Sequence, residues 1–375
     1  MPYPIARLLA AALVAAAALL AAGPSGAEED AAPAAERTRT VEDMLGRSVE
    51  VPREIERIAT VNVDAFRMLL HLGVGDRLVG IPSNMFGSRF AREKPVEARA
   101  FDGLAQTPRV GGGQPGAEID LERVLATEPD VFLYWAFTRR DEPGALAERA
   151  ERLERQLGVP VVAVSTIGSD WGSAEGALEE IETAYRLMGE LTGRQERAAA
   201  LLDYYREGVA QVQSRIPEAA SAPRIYLAHR RNLYNHVAFY LPVEQLGAEL
   251  VTAGRPGSDG EVSAEQLIKW DPAHIFLHTP SKASRVSREA VLGDARLAGV
   301  EAVEQGRVHR FKGTYMGWDL ATGLIDLVHM AKILYPEAMA GVDRAERGEA
   351  ILRFFYGEPG LYAHLAEQSG LEGRE

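Results

Sequence analysis

Two arginine doublets, Arg139-Arg140 and Arg230-Arg231, each stand near large aromatic residues: Trp135 and Phe137 precede the first, and Tyr234 and Tyr240 follow the second. A guanidinium group pairs bidentately with a carboxylate or phosphate, while an aromatic face covers an organic ligand at little cost in rotamer freedom. Further polar and aromatic candidates are Asn62, Asp64, Phe86, Asn235, His236, Lys312, Tyr315 and Trp318. The mixture suits a bulky anion. Two plainer readings stand beside it: arginine doublets also form surface ion pairs that contribute little, and Trp135 and Trp318 are equally suited to capping a sheet.

A second chemical signal is a repeated phrase. Asp120-Leu121-Glu122, with Val124-Leu125 and then Pro129 ahead of Val131-Phe132-Leu133, recurs 143 residues later as Ser263-Ala264-Glu265, with Leu267-Ile268 and Pro272 ahead of Ile275-Phe276-Leu277. Each copy reads as a short helix feeding a buried strand, with Asp120 or Ser263 as N-cap and a glutamate in the first turn. The helix macrodipole favours one such glutamate on its own. It accounts less well for a matched pair.

The elements that must position these residues follow from the apolar periodicity. Thr40-Val41 and Val49-Glu50-Val51 flank a Gly46 turn and read as a hairpin closed by Pro52. Apolar runs at 57–61, 78–81, 131–135 and 161–164, separated by helical patterns, predict a parallel sheet covered on both faces. From Glu175 to Ile216 the spacing is helical throughout, first to Gly193 and then over Arg194–Ile216, a helix of about 35 Å at 1.5 Å per residue. Alternation resumes with strands near 224–228, 275–277 and 308–311 and a helix over 320–334. In open parallel sheets ligands sit beyond the carboxyl ends of the strands, which is where the arginines and aromatics fall.

With 375 residues, 46% hydrophobic and 25% charged, the chain is long enough for two cores and ordinary in composition. A net charge of −13 argues against a nucleic-acid partner. Arg7 precedes a Leu/Ala run from Leu8 to Ala22, with Ser25-Gly26-Ala27 beyond it, which predicts a cleaved signal peptide over 1–27. The chain has no cysteine, hence no disulfides, no thiolate metal site and no lipid attachment through that residue. The address expected is the periplasm, without a lipid anchor.

Enzyme signatures are missing. Gly111-Gly112-Gly113 lacks the Lys-Ser/Thr of a phosphate loop and reads as a turn, and there is neither a Gly-x-Ser-x-Gly elbow nor a His-Glu-x-x-His pair. A hydrolase built on Asp64, Asp170 or Asp319 with a histidine would have no assembled constellation behind it. Before the helical segment the only histidine is His71, inside a helix, so a bare-metal site shared by two halves of the chain is not expected. His274 and His278 flank a strand core and read as packing or solvent-facing residues.

In order and combination, Thr40–Pro52 (TVEDMLGRSVEVP), Glu56-Arg57-Ile58, Leu72–Gly80 (LGVGDRLVG), Asp120-Leu121-Glu122 with Glu128-Pro129-Asp130, and Glu265-Gln266-Leu267 resemble the substrate-binding proteins of ABC importers for iron-siderophore, haem or cobalamin, over about residues 38–336. The resemblance implies an α/β fold of two similar lobes with mostly parallel sheets, joined by one long α-helix that allows little hinging, with the ligand cleft between them. The boundaries expected are an N-terminal lobe over 38–170, the helical segment over 175–216, a C-terminal lobe over 222–335 and a helical acidic tail over 336–375. It implies ligand binding without catalysis, cofactor or resident metal. The ligand expected is a metal chelate, a ferric siderophore first, with haem or a corrinoid in the same role, and a non-transport ligand sensor as the other reading. The cleft residues would be Asn62, Phe86, Trp135, Arg139, Arg140, Arg230, Tyr234, His236, Lys312, Tyr315 and Trp318, with Tyr234 or His236 as candidates for a haem iron. Glu122 and Glu265 occupy the positions that dock on arginines of the membrane permease. The partners implied are that permease with its ATPase and the chelate itself, and the protein is expected as a monomer.

Overall fold

The computed structural model describes residues 37–83, 96–113, 117–136, 142–166, 173–218, 220–229, 232–254, 262–279, 286–313 and 319–371. The segment read as a signal peptide lies outside them. The hairpin forms as read: β1 (Thr38–Glu42) pairs antiparallel with β2 (Ser48–Pro52). Its turn is closed by Asp43, whose carboxylate accepts from the Leu45 and Arg47 backbone and grips the Arg47 guanidinium at 2.6 Å.

Beyond the hairpin the chain builds the same sheet twice. The first half contributes β3 (Ile58–Thr60), α1 (Val63–His71), β4 (Leu78–Gly80), α2 (Val96–Ala100), α3 (Leu121–Ala126), β5 (Val131–Trp135), α4 (Pro143–Leu157) and β6 (Val161–Val164). All strand pairs are parallel and the order is β4-β3-β5-β6. After α5 (Ala174–Thr192) and α6 (Gln195–Gln213), the second half contributes β7 (Arg224–Ala228), α7 (Leu241–Gln245), β8 (Glu249–Leu250), α8 (Ala264–Trp270), β9 (His274–His278), α9 (Arg288–Leu292), α10 (Glu301–Glu304) and β10 (Val308–Phe311). That sheet is parallel too, in the order β10-β9-β7-β8. Numbered within its own half, each sheet reads second, first, third, fourth. In both, the chain reverses direction between the first and third strands, the switch point at which such sheets hold ligands.

The central strands are buried on both faces, β5, β6 and the inner part of β9 being without exposed residues, as covered parallel sheets require. The helical segment is two packed helices, divided at Gly193 as the spacing predicts. Gly193 (φ 69) ends α5 in the left-handed conformation that glycine adopts without strain, and Arg194 starts α6. The long helix predicted to Ile216 stops at Gln213, about 28 Å at 1.5 Å per residue. Pro217 disfavours helical geometry in the residue before it, so the last turn unwinds ahead of it.

α11 (Leu320–Leu334) is buried along most of its length, and α12 (Arg344–Tyr356) and α13 (Leu361–Ser369) follow it. The tail read only as acidic and helical therefore carries core residues: Ile351, Leu352, Phe355, Leu361 and Leu365 join the main apolar cluster. α12 packs on α11 and also reaches α1, while α13 touches α2. Among the described residues, no helix is long and apolar enough to cross a membrane.

Candidate functional site

The carboxyl ends of β3 and β10 meet in a buried polar junction. Asn62 ends β3 and caps α1: its Oδ1 accepts from the backbone of Asp64 and Ala65, and its Nδ2 donates to the Val164 carbonyl at 2.9 Å. With its side chain fully buried and both ends of the amide engaged, Asn62 anchors α1; the ligand contact expected of it from sequence is a structural cap instead. One helical turn further, Arg67 donates to Glu97 of α2 at 2.8 Å and lies 3.5 Å from Asp64. Asp64 also accepts from the Thr166 hydroxyl. Burial works against the Arg67 charge, but Glu97, Asp319 and Asp64 outweigh it and hold the guanidinium protonated.

The second half supplies Lys312 and Asp319. Asp319 caps α11, accepting from the Ala321 backbone and the Thr322 hydroxyl, and its Oδ1 lies 3.6 Å from His71 Nε2 on α1. His71 Nδ1 is 2.7 Å from the Tyr185 hydroxyl, and its ring meets Phe355 and Tyr356 edge-on. Lys312 is partly exposed, yet burial of its ammonium end lowers its pKa, only partly offset by Glu97. Its backbone N–H and that of Gly313 donate to Asp326, which also accepts from the Tyr240 hydroxyl at 2.6 Å. The Asp319–His71 pair that a hydrolytic reading would use is sealed inside the protein, out of a substrate's reach. Asp170 lies outside the described residues.

This junction makes stability depend on pH in two opposed ways. Burial, against the pull of Asp319, lowers His71 to about 4 from an ordinary 6.5. The unfolded chain therefore takes up a proton that the native state refuses, and the stability present above pH 6.5 is lost as pH falls toward 4, by about 3 kcal/mol at most. Burial raises Asp326 to about 6 despite its Tyr240, Gly313 and Lys312 donors. Its sign is reversed: acidifying from pH 6 toward 3.8 favours the native state. Thermal melts of His71→Phe are expected to lose less stability than wild type between pH 6.5 and 4.5, and those of Asp326→Asn to lose more. Parallel curves for all three proteins would show that neither group titrates there.

The remaining sequence candidates divide. Trp135 ends β5, is only 5% exposed and belongs to the main apolar cluster; it caps the sheet, because every residue of that strand is buried, and is not an open stacking wall. His236 is buried too, its backbone bridged to Ala228 at the end of β7. Tyr234 is turned toward α8: its carbonyl accepts from Val262, the Arg296 guanidinium lies over its ring at 5.7 Å, and Asp294 and Glu265 are its charged neighbours. Of the described candidates, Asn62 and Lys312 are in the junction, and only Lys312 is partly exposed there. Phe86, Arg139, Arg140, Arg230, Tyr315 and Trp318 lie outside the described residues. Arg139 and Arg140 belong to the segment leaving β5 and Arg230 to that leaving β7, the strands that flank the two switch points. Sequence reading missed Arg67, Glu97 and His71 as a group; the helical spacing of Arg67 and His71 from Asp64 was a signal, and Glu97, on α2, gave none.

Glu122 and Glu265 are exposed and occupy the same place in their halves. Asp120 caps α3 by accepting from Arg123 N–H, and Ser263 and Gln266 form a reciprocal capping box on α8. The Ser263 hydroxyl and the glutamate's own backbone N–H hold Glu265 below the usual carboxylate range. The register continues past both helices: Val124 and Leu267 are fully buried, and, among the described residues, Glu128 and Asp271 are the non-glycine residues with positive φ, 45° and 43°. A helix between parallel strands runs back against them, so both glutamates lie toward the carboxyl edge, the end where ligand loops open.

A family model described as periplasmic binding protein matches residues 58–315. A cobalamin-binding protein of Halobacterium salinarum is 28% identical over 255 residues, 66% of this chain but only 61% of that relative's length. The molybdate-binding protein MolA of Haemophilus influenzae is 23% identical over 333 residues, covering 81% of this chain and 87% of that one. Its molybdate-bound structure superposes with a TM-score of 0.69 at 18% identity, over 86% of this chain and 98% of the other. A periplasmic solute binding protein from Veillonella parvula gives the same TM-score at 19% identity, over 89% and 97%. At these identities the structural likeness carries the fold, a two-lobed α/β arrangement.

Proposed function

The chain belongs to the periplasmic binding protein family, and from that premise we propose that it is the solute-capturing component of an ABC importer, taking a preformed anionic metal complex at the carboxyl edges of its two sheets and presenting it to a membrane permease. One observation carries this reading. Both halves have the same strand order, and residues beyond the ends of β3 and β10 converge on one junction, where Arg67 is held by Glu97 and Asp64 and Lys312 is the partly exposed side chain. Arg139 and Arg140 follow β5 in sequence and Arg230 follows β7, and we assign all three to the same cleft. The relatives' names support a metal-centred ligand, since cobalamin is a metal complex and molybdate a metal oxyanion.

A ferric siderophore is the ligand we place first, with haem or a corrinoid as the alternative chelate; a sensor that passes the same ligand to a non-transport partner would use the same cleft. The protein acts as a monomer in the periplasm and performs no chemistry on its cargo. Purified protein titrated with a ferric siderophore, haem, cyanocobalamin and molybdate in turn is expected to bind one of them at micromolar concentration or tighter, and to bind free Fe³⁺ or Zn²⁺ poorly. Arg139→Ala, Arg140→Ala and Arg230→Ala should each weaken that binding by about 2–5 kcal/mol, the cost of orphaning a charge in a desolvated pair. Wild-type affinity in all three would remove the arginines from the cleft, and turnover of any of these ligands would remove the binding-protein reading.

A further inference from the structure

Resting on the docking reading of Glu122 and Glu265, we infer that the permease contact is apolar as well as ionic, made through Leu125 on one lobe and Ile268 on the other. Among the described residues, the large aliphatic side chains left exposed are these two, at 46% and 42%. Single exposed leucines are common on soluble proteins and carry no message. Here the two exposures fall at the same register of the duplicated unit, three residues after each glutamate and one after a fully buried aliphatic residue. A three-residue step places glutamate and aliphatic side chain on one helix face, a turn apart. Each lobe thus offers a carboxylate and a hydrocarbon side chain side by side.

The repetition also says what covers them. A patch that occurs once could receive any partner, but one that recurs on two pseudo-equivalent lobes fits a surface that itself occurs twice, with a basic group beside an apolar one in each copy. A two-fold, membrane-embedded permease has that symmetry. Arg123 pairs with Asp120, and Arg296 with Asp294, while both glutamates are exposed to a basic partner.

The test uses the full chain in membranes of its own cells. A photo-reactive benzoylphenylalanine at position 125 or 268 is expected to crosslink to a membrane-spanning importer subunit. Purified Leu125→Ser/Ile268→Ser is expected to keep its thermal midpoint yet associate with those membranes on the order of tenfold more weakly, since two half-covered aliphatic groups no longer leave water. Glu122→Arg/Glu265→Arg, measured alongside, separates the two claims. If the charge reversal abolishes association while the serine pair binds normally and neither position crosslinks, docking stands and the apolar contact falls. If neither pair affects association, both fall. Adducts joining two copies of this chain would instead assign the patch to self-association and overturn the inference.

Discussion

With Glu122→Arg and Glu265→Arg combined, the protein is expected to fold, to hold its ligand at wild-type affinity and to give no stimulation of the importer's ATPase. Both side chains are exposed and neither takes part in the polar junction between the halves. The capping interactions that start α3 and α8 come from Asp120, Ser263 and Gln266, so reversal removes only a favourable helix-dipole contribution from each first turn. At an interface the outcome differs in kind, because like charges placed opposite one another weaken association by about a hundredfold or more. Either single reversal should retain partial stimulation, since one lobe still docks. Normal uptake by the double variant would remove these residues from the interface, and lost ligand binding in a folded protein would move them into the cleft.

Replacing Arg67 by methionine is expected to be the most destabilising single change in the junction, at about 3–5 kcal/mol, the cost of leaving buried charges without their partner. Glu97 and Asp64 are both buried, and Arg67 is the cation hydrogen-bonded to the first and within ion-pair distance of the second. Methionine matches the aliphatic stem but supplies no donor. In a chain of this size the thermal midpoint should fall by roughly 5 °C, while Arg186→Met, at an exposed pair with Glu182, should change it little. Calorimetry of the two variants decides the matter: equal midpoints would mean that Glu97 and Asp64 are satisfied without Arg67.

Much of the fold could be read from periodicity, because the pattern and the elements obey the same requirement. Five apolar residues in a row at 131–135 became β5, buried throughout, and the helix read over 320–334 has those limits in the structure. β8 was missed because two residues at a sheet edge carry no alternation. The end of the long helix was set too late, since the helical pattern of apolar residues continued past the point where Pro217 unwinds the backbone.

The site was less legible than the fold. Side-chain type identifies what a residue can bind but not which way it faces: Asn62 and Trp135 have suitable chemistry and spend it on the protein's own interior. The polar junction was harder still to foresee, since Arg67 and His71 of α1, Glu97 of α2 and Asp319 ahead of α11 come from three places in the chain and meet only when both halves are assembled. The duplicated helix-strand unit was visible for the opposite reason: its signal is local, and repetition at a fixed offset survives where single motifs are weak.

The last two helices give the chain a distinctive order of completion. Phe355 and Tyr356 of α12 lie against His71, and the Phe354 and Phe355 carbonyls accept from Arg197, whose Nε donates to the His71 carbonyl. α1, among the first elements to be synthesised, therefore reaches its final surroundings only when almost the last residues arrive. Such sequence-distant contacts slow folding because a long loop must close before they form. A polypeptide that leaves the ribosome with its first half unfinished stays pliable for longer, a useful state for a chain that, in the proposed periplasmic role, is threaded through a membrane before it becomes compact.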